Sequence, residues 1–175
     1  MKLITIIYYA ISIISIGLYV MSIQFKDKKN ILITQLFASL CYSIVYIIKG
    51  AWSGVSIEIL EQIKDFTFIK FEKNNKKIPL IVLIIFIGLL ITVSIIFYDG
   101  VFSLLPLLIN MLLFVSTYKK NPKYIRYIML ISGALWGLYN IYVGAYIIVI
   151  GNTLEIISAA ISIIKYRKVD RNFKD

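Results

Sequence analysis

Seven apolar stretches account for most of this chain, each close to the roughly 20 residues that carry a helix across a bilayer core. They fall at residues 3–23, 31–48, 52–71, 78–97, 101–118, 124–143 and 146–166. Unpaired backbone groups are too costly in lipid, so each stretch is expected to be a helix. The strict alternation of a membrane β-barrel is absent. The expected class is therefore all-α, a polytopic membrane protein of seven transmembrane helices with almost no water-soluble domain. With 60% hydrophobic residues, the chain needs no soluble core, because its apolar faces can meet the lipid bilayer.

The connections are of two kinds. Gly50-Ala51, Asp99-Gly100 and Gly144-Ala145 make tight turns, whereas residues 26–29, 70–77 and 119–126 and the tail after Lys165 are basic. Seven crossings put all the basic segments on one side. That side holds all of the 19 Lys and Arg except Lys2, Lys49 and Lys64. Basic loops stay in the cytoplasm, so the N-terminus is expected outside and the C-terminus in the cytoplasm. The formal net charge of +10 then reads as a topology signal, and nucleic acid is not an expected partner. The first run is too long for a cleavable signal core, and Lys26, Lys28 and Lys29 close it like a stop-transfer flank.

Shifting the chain by 94 residues brings out an internal repeat. Gly50-Ala51 falls on Gly144-Ala145, Trp52 on Tyr146, Tyr42 on Trp136, and Leu60-Glu61 on Leu154-Glu155. The first three helices thus match the last three, and the fourth is a lone connector. One extra crossing makes the two trios parallel, a 3+1+3 design known in one class of transporters. The expected divisions are a first three-helix repeat (1–77), a linker transmembrane helix (78–99), a second repeat (100–168) and a cytoplasmic tail (169–175).

The third span is unusually polar, carrying Glu58, Glu61, Gln62, Lys64 and Asp65. Ionisable groups in a membrane are costly and turn towards the protein interior. Glu58, Glu61 and Asp65 share one helical face by their spacings of three and four. Glu61 and Glu155 each lie near the centre of a span, so the repeat would bring them to similar depth around one axis, where a solute would be held. Two carboxylates close together in a low dielectric resist ionising together, which makes proton coupling an expectation. Candidate solute-binding residues are Glu61, Glu155, Asn152, Trp136, Asn140 and Glu58. The structural alternative has Glu61 pairing with Lys64, Lys64 snorkelling to the interface, and Gln62 and Asn152 tying helices together. Gly133-x-x-x-Gly137 reads as close helix packing. Pro106 reads as a kink in the fifth helix.

With no His and a single Cys, the chain offers no intramolecular disulfide, no His-based zinc site and no His general base. No phosphate-binding glycine loop or metal-ligand spacing occurs, so neither a cofactor nor a metal is expected. An intramembrane enzyme built on paired carboxylates is the weakest of three function classes. A small-solute transporter is the strongest, and a non-transporting subunit or scaffold stands between them.

Segments 35–64 and 104–168 resemble the YgjV-like bacterial inner-membrane proteins. The features that carry the resemblance are Leu104-Leu105-Pro106 at the start of the fifth helix, Trp136 eight residues before Gly144, and the basic cap that closes 144–167. Glu61 and Lys64 stand where that pattern has Asn and Arg. The family is similar in turn to the SWEET, SemiSWEET and PQ-loop transporters, whose Pro-Gln loop signature this chain lacks. The resemblance implies a bacterial inner (plasma) membrane location and facilitated movement of a small polar solute along a central path. In the sugar carriers of the wider group, side-chain amides on the third and seventh helices help bind substrate, and Glu61, Asn152 and Glu155 occupy that region here. One chain holds both trios, so a monomer suffices for a path, with a homodimer as the alternative.

Overall fold

The computed structural model describes residues 2–119 and 121–171. The described chain is all-α, with seven helices: α1 (Lys2–Ile23), α2 (Lys28–Lys49), α3 (Trp52–Lys73), α4 (Leu80–Ile96), α5 (Leu105–Tyr118), α6 (Lys123–Tyr142) and α7 (Tyr146–Arg171). A short 3-10 turn, Val101–Leu104, leads into α5. Each helix falls on the apolar run expected for it, although α4 is shorter than 78–97 and α5 starts only at Leu105. The main difference is α7, which continues to Arg171, so the start of the expected tail at 169–171 is helical. The rest of that tail, 172–175, lies outside the described residues, as does Lys120 of the basic loop. Pro106 does not interrupt a helix. It sits in the first turn of α5, where its missing N–H would have no intrahelical partner anyway.

Four helices are long and apolar enough to cross a membrane, within Leu3–Ile23, Lys28–Lys49, Val101–Tyr118 and Tyr146–Val169, and Leu80–Ile96 is apolar but shorter. In α3 the apolar signal is diluted by its charges, yet its exposure pattern is inverted relative to a soluble helix. Glu58, Glu61, Lys64 and Asp65 are buried, while Ile59, Ile63 and Phe66 are about half exposed, at 47%, 53% and 55%. On α7, Asn152, Glu155, Ser158 and Ser162 are buried while Ile150, Leu154, Ile157, Ile161 and Ile164 face outward. Charges inside and aliphatics outside suit a lipid solvent and no other.

Six helices close a ring in the order α1-α2-α3-α5-α6-α7, each packed on the next and α7 packed back on α1. The fourth helix stays out of the ring and lies against both α3 and α5. Two of the three tight turns, at Gly50 and Gly144, share one backbone solution. Gly50 and Gly144 have φ of 67° and 70°, a left-handed conformation open to glycine at little cost. In the first turn Gly50 N–H donates to Ile47 O and Ala51 N–H to Tyr46 O. In the second, Gly144 N–H donates to Ile141 O and Ala145 N–H to Asn140 O, the same pattern 94 residues on. Trp52 and Tyr146, just past the turns, are exposed, as interfacial aromatics are. Gly133 permits the close approach of α6 and α7, since a Cβ there would meet Ile156 Cγ1 at 2.7 Å.

Candidate functional site

Glu61 and Glu155 are each the tenth residue of their helix. At about 1.5 Å per residue that puts both roughly 14 Å from the start of their helices. Both are buried, at 6% and 3% exposure, and both line one internal cavity inside the helix ring. The remaining wall is Tyr19 of α1, Tyr42 and Tyr46 of α2, Glu58 of α3, Trp136 and Asn140 of α6, and Ile148 and Asn152 of α7. All six candidate residues read from the sequence therefore converge on a single cavity.

The wall repeats at the register seen in the sequence. Tyr42 and Trp136, Tyr46 and Asn140, Glu58 and Asn152, and Glu61 and Glu155 are each 94 positions apart, so eight of the ten lining residues form four such pairs. One pair is in direct contact. Tyr46 Oη donates to Asn140 Oδ1 at 3.0 Å, so these two matched positions face each other across the centre of the ring.

A hydrogen-bond chain runs on from there. Asn140 Nδ2 donates to Asn152 Oδ1 at 3.0 Å, and Asn152 Nδ2 donates to Glu155 Oε2 at 3.3 Å. The other oxygen of Glu155 accepts from Tyr42 Oη at 3.1 Å. Tyr42, Tyr46 and Trp136 form a stacked column beside the chain, with ring centroids 6.4 and 6.1 Å apart. Among the described residues Glu58 has no hydrogen-bond or ion-pair partner, and it lines the cavity.

Below Glu61 lies a buried ion cluster. Lys64 Nζ donates to Glu61 Oε1 at 3.1 Å and lies 2.9 Å from Asp65 Oδ1, with its ammonium over the Phe114 ring of α5. The contact to Asp65 is an ion pair outside hydrogen-bond geometry, and neither Asp65 oxygen has a hydrogen-bond partner. Lys64 is wholly buried, so it pairs inside the ring and does not snorkel to the interface. Gln62 ties α3 to α2 through Ser43 Oγ at 2.7 Å.

The cavity is small, about 20 Å³, which is room for one water or a bare ion. Three carboxylates line it, and Lys64 is the cation paired with one of them. Among the described residues no group of three or more His, Cys, Asp or Glu is arranged to hold a metal ion. The tyrosines 19, 42 and 46 were not among the residues singled out from the sequence as binding candidates. The match of Tyr42 to Trp136 was the available signal, and extending that register by one helical turn reaches Tyr46 and Asn140.

A ring of lipid-facing helices with a buried polar centre defines a polytopic α-helical membrane protein. A family model described as a bacterial inner membrane protein, Imp-YgjV, matches residues 6–170. This chain therefore belongs to the YgjV family of bacterial inner membrane proteins. No curated protein and no solved structure matches it.

Proposed function

We propose that this protein is a small-solute transporter whose path runs through the centre of the helix ring. The observation that carries the reading is the cavity at mid-depth, walled by four residue pairs of one 94-residue register and lined by Glu58, Glu61 and Glu155. On this reading α1–α3 and α5–α7 are two parallel trios, α4 is the linker, and the path follows the pseudo-two-fold axis between them. This is the 3+1+3 arrangement of the SWEET-like carriers. The ring order supports it, because the α3/α5 and α7/α1 seams exchange when each helix of one trio is replaced by its match in the other. All seven helices then cross the inner membrane, with the N-terminus outside and the cytoplasmic end carrying the basic loops.

Three carboxylates beside a column of aromatic faces suit a small polar solute of positive charge, because both attract cations. Protonation of Glu61 or Glu155 during the cycle would couple transport to the proton gradient. At about 20 Å³ the cavity must widen to pass anything larger than an ion. The role is transport, not catalysis, and it needs no cofactor.

A second reading has one observation in its favour. The same cavity is so small that the polar network could simply hold a scaffold or subunit together, with no path at all. Reconstitution into liposomes separates the two. Labelled amines, amino acids and sugars are screened, and uptake of one of them is expected to be lost in Glu155→Ala. No uptake by well-folded wild-type protein, together with a stoichiometric co-purifying membrane partner, would leave the scaffold reading. If Glu61→Gln/Glu155→Gln transports with unchanged pH dependence, proton coupling is ruled out.

A further inference from the structure

A second cavity, of about 250 Å³, shares no lining residue with the first. It is walled by Lys28 at the start of α2, Glu72, Asn75, Lys76, Lys77 and Ile78 around the α3–α4 turn, and Tyr118 and Lys119 at the end of α5. Lys28 is buried at 5% exposure and donates to Glu72 Oε1 at 2.7 Å, which neutralises the one acid in the wall. Lys76, Lys77 and Lys119 make no ion pair with any described residue. Three uncompensated ammonium groups around one cavity repel each other, and an anion relieves that repulsion.

The turn that presents two of them is rigidly closed. Lys76 N–H donates to Phe71 O and Asn75 N–H to Glu72 O, the paired bonds of a Schellman cap, with Asn75 at a φ of 52°. Pro79 stands just ahead of α4, whose first-turn and second-turn residues Leu80, Ile81 and Ile84 are exposed and apolar. A cationic cavity thus opens beside a lipid-facing helix edge.

We propose that this cavity binds a phosphate group, presented by the headgroup of an anionic phospholipid, whose acyl chains lie along the exposed face of α4. Lys76, Lys77 and Lys119 take the phosphate oxygens, while the Lys28–Glu72 pair and the closed turn hold the cavity open. Basic pockets between transmembrane helices on the cytoplasmic side recognise such headgroups. The site is independent of the central cavity and of any transport through it.

The test uses the full-length protein in detergent, read by native mass spectrometry and thermal unfolding. Phosphatidylglycerol is expected to remain bound and to raise Tm, whereas phosphatidylcholine does neither. Lys76→Gln/Lys77→Gln/Lys119→Gln should weaken phosphatidylglycerol binding about tenfold or more, since each near-surface lysine contributes on the order of 1 kcal/mol. Lys165→Gln/Arg167→Gln/Lys168→Gln removes the same charge from the exposed end of α7 and should leave binding within about threefold of wild type. Helix content by circular dichroism checks that both variants fold, and Lys119→Gln alone, with a proportionally smaller loss, stands in if the triple variant does not. If inorganic phosphate alone reproduces the Tm rise, the site takes soluble phosphate and the lipid assignment fails. Equal loss in the two triple variants, or none in the first, overturns the site altogether.

Discussion

The acid-bearing faces of α3 and α7 match position for position, yet they hold their central glutamates by opposite means. Along α3 the register reads Glu58, Glu61, Lys64, Asp65; along α7 the same positions read Asn152, Glu155, Ser158, Ala159. Glu61 is held by a buried ammonium, whereas Glu155 is held by a phenol and an amide. The contrast extends to the seams of the ring. Lys64 sits over Phe114 of α5, and at the matching place Ser158 Oγ donates to Val20 O of α1 at 3.0 Å. The α7/α1 seam is stitched by further hydrogen bonds, from Ser162 to Ile23 O at 2.7 Å and from Tyr166 to Gln24 O at 2.8 Å. The α3/α5 seam has instead an aromatic filler, with Phe86 of α4 meeting Phe68 and Phe114 edge-on. A repeat thus fixes where polar groups go without fixing how they are neutralised. One half gives its glutamate a charged partner and has an apolar seam, and the other gives its glutamate uncharged partners and has a polar seam.

The largest effect that would test this contrast is expected at Lys64. Lys64→Met strands Glu61 and Asp65 without a counter-charge, at a cost of about 3–5 kcal/mol in thermal or denaturant unfolding in detergent. Adding Glu61→Gln and Asp65→Asn should recover most of that loss. A Lys64→Met protein as stable as wild type would mean that the ion cluster is not what holds the α3 half. Next comes the apolar seam, where Phe86→Ala should destabilise by about 3 kcal/mol through the cavity it leaves between α3, α4 and α5. The two glutamates should then separate. Glu61→Gln breaks an ion pair with a buried ammonium and should cost about 2 kcal/mol, whereas Glu155→Gln keeps a side chain that its phenol and amide partners can still bond and should cost about 1 kcal/mol. Reversed order in a side-by-side unfolding experiment would break the distinction between the halves. The smallest effect is expected at the polar seam, where Ser162→Ala should cost about 0.6 kcal/mol, the usual scale for one interhelical bond in a membrane.

Much of the helix layout was legible because each run of about 20 apolar residues has one viable conformation in lipid. The burial of Glu61 and Glu155 was legible for a related reason, since ionised groups have nowhere to go but inward. What could not be read is how partners are chosen within the ring. The sequence places Lys64 equally well for snorkelling or for pairing, and only the packing of Phe114 and Asp65 around it decides. Pro106 read as a kink because proline breaks helices, but the 3-10 turn ahead of it makes residue 105 the start of α5. The lysine cavity joins the ends of α2, α3 and α5, which lie far apart in the chain, so no local pattern announces it.

The contact between Tyr46 and Asn140 has a consequence for ancestry. Under the proposed two-fold relation these positions would coincide in a protein assembled from two copies of one trio. Such an assembly would set tyrosine against tyrosine or asparagine against asparagine at its core. Joining both trios in one polypeptide lets the facing residues diverge into a phenol that gives a proton and an amide oxygen that receives it. On that proposal the chain depends on its own second half, and a shortened version carrying only residues 1–77 is expected to pair poorly with itself.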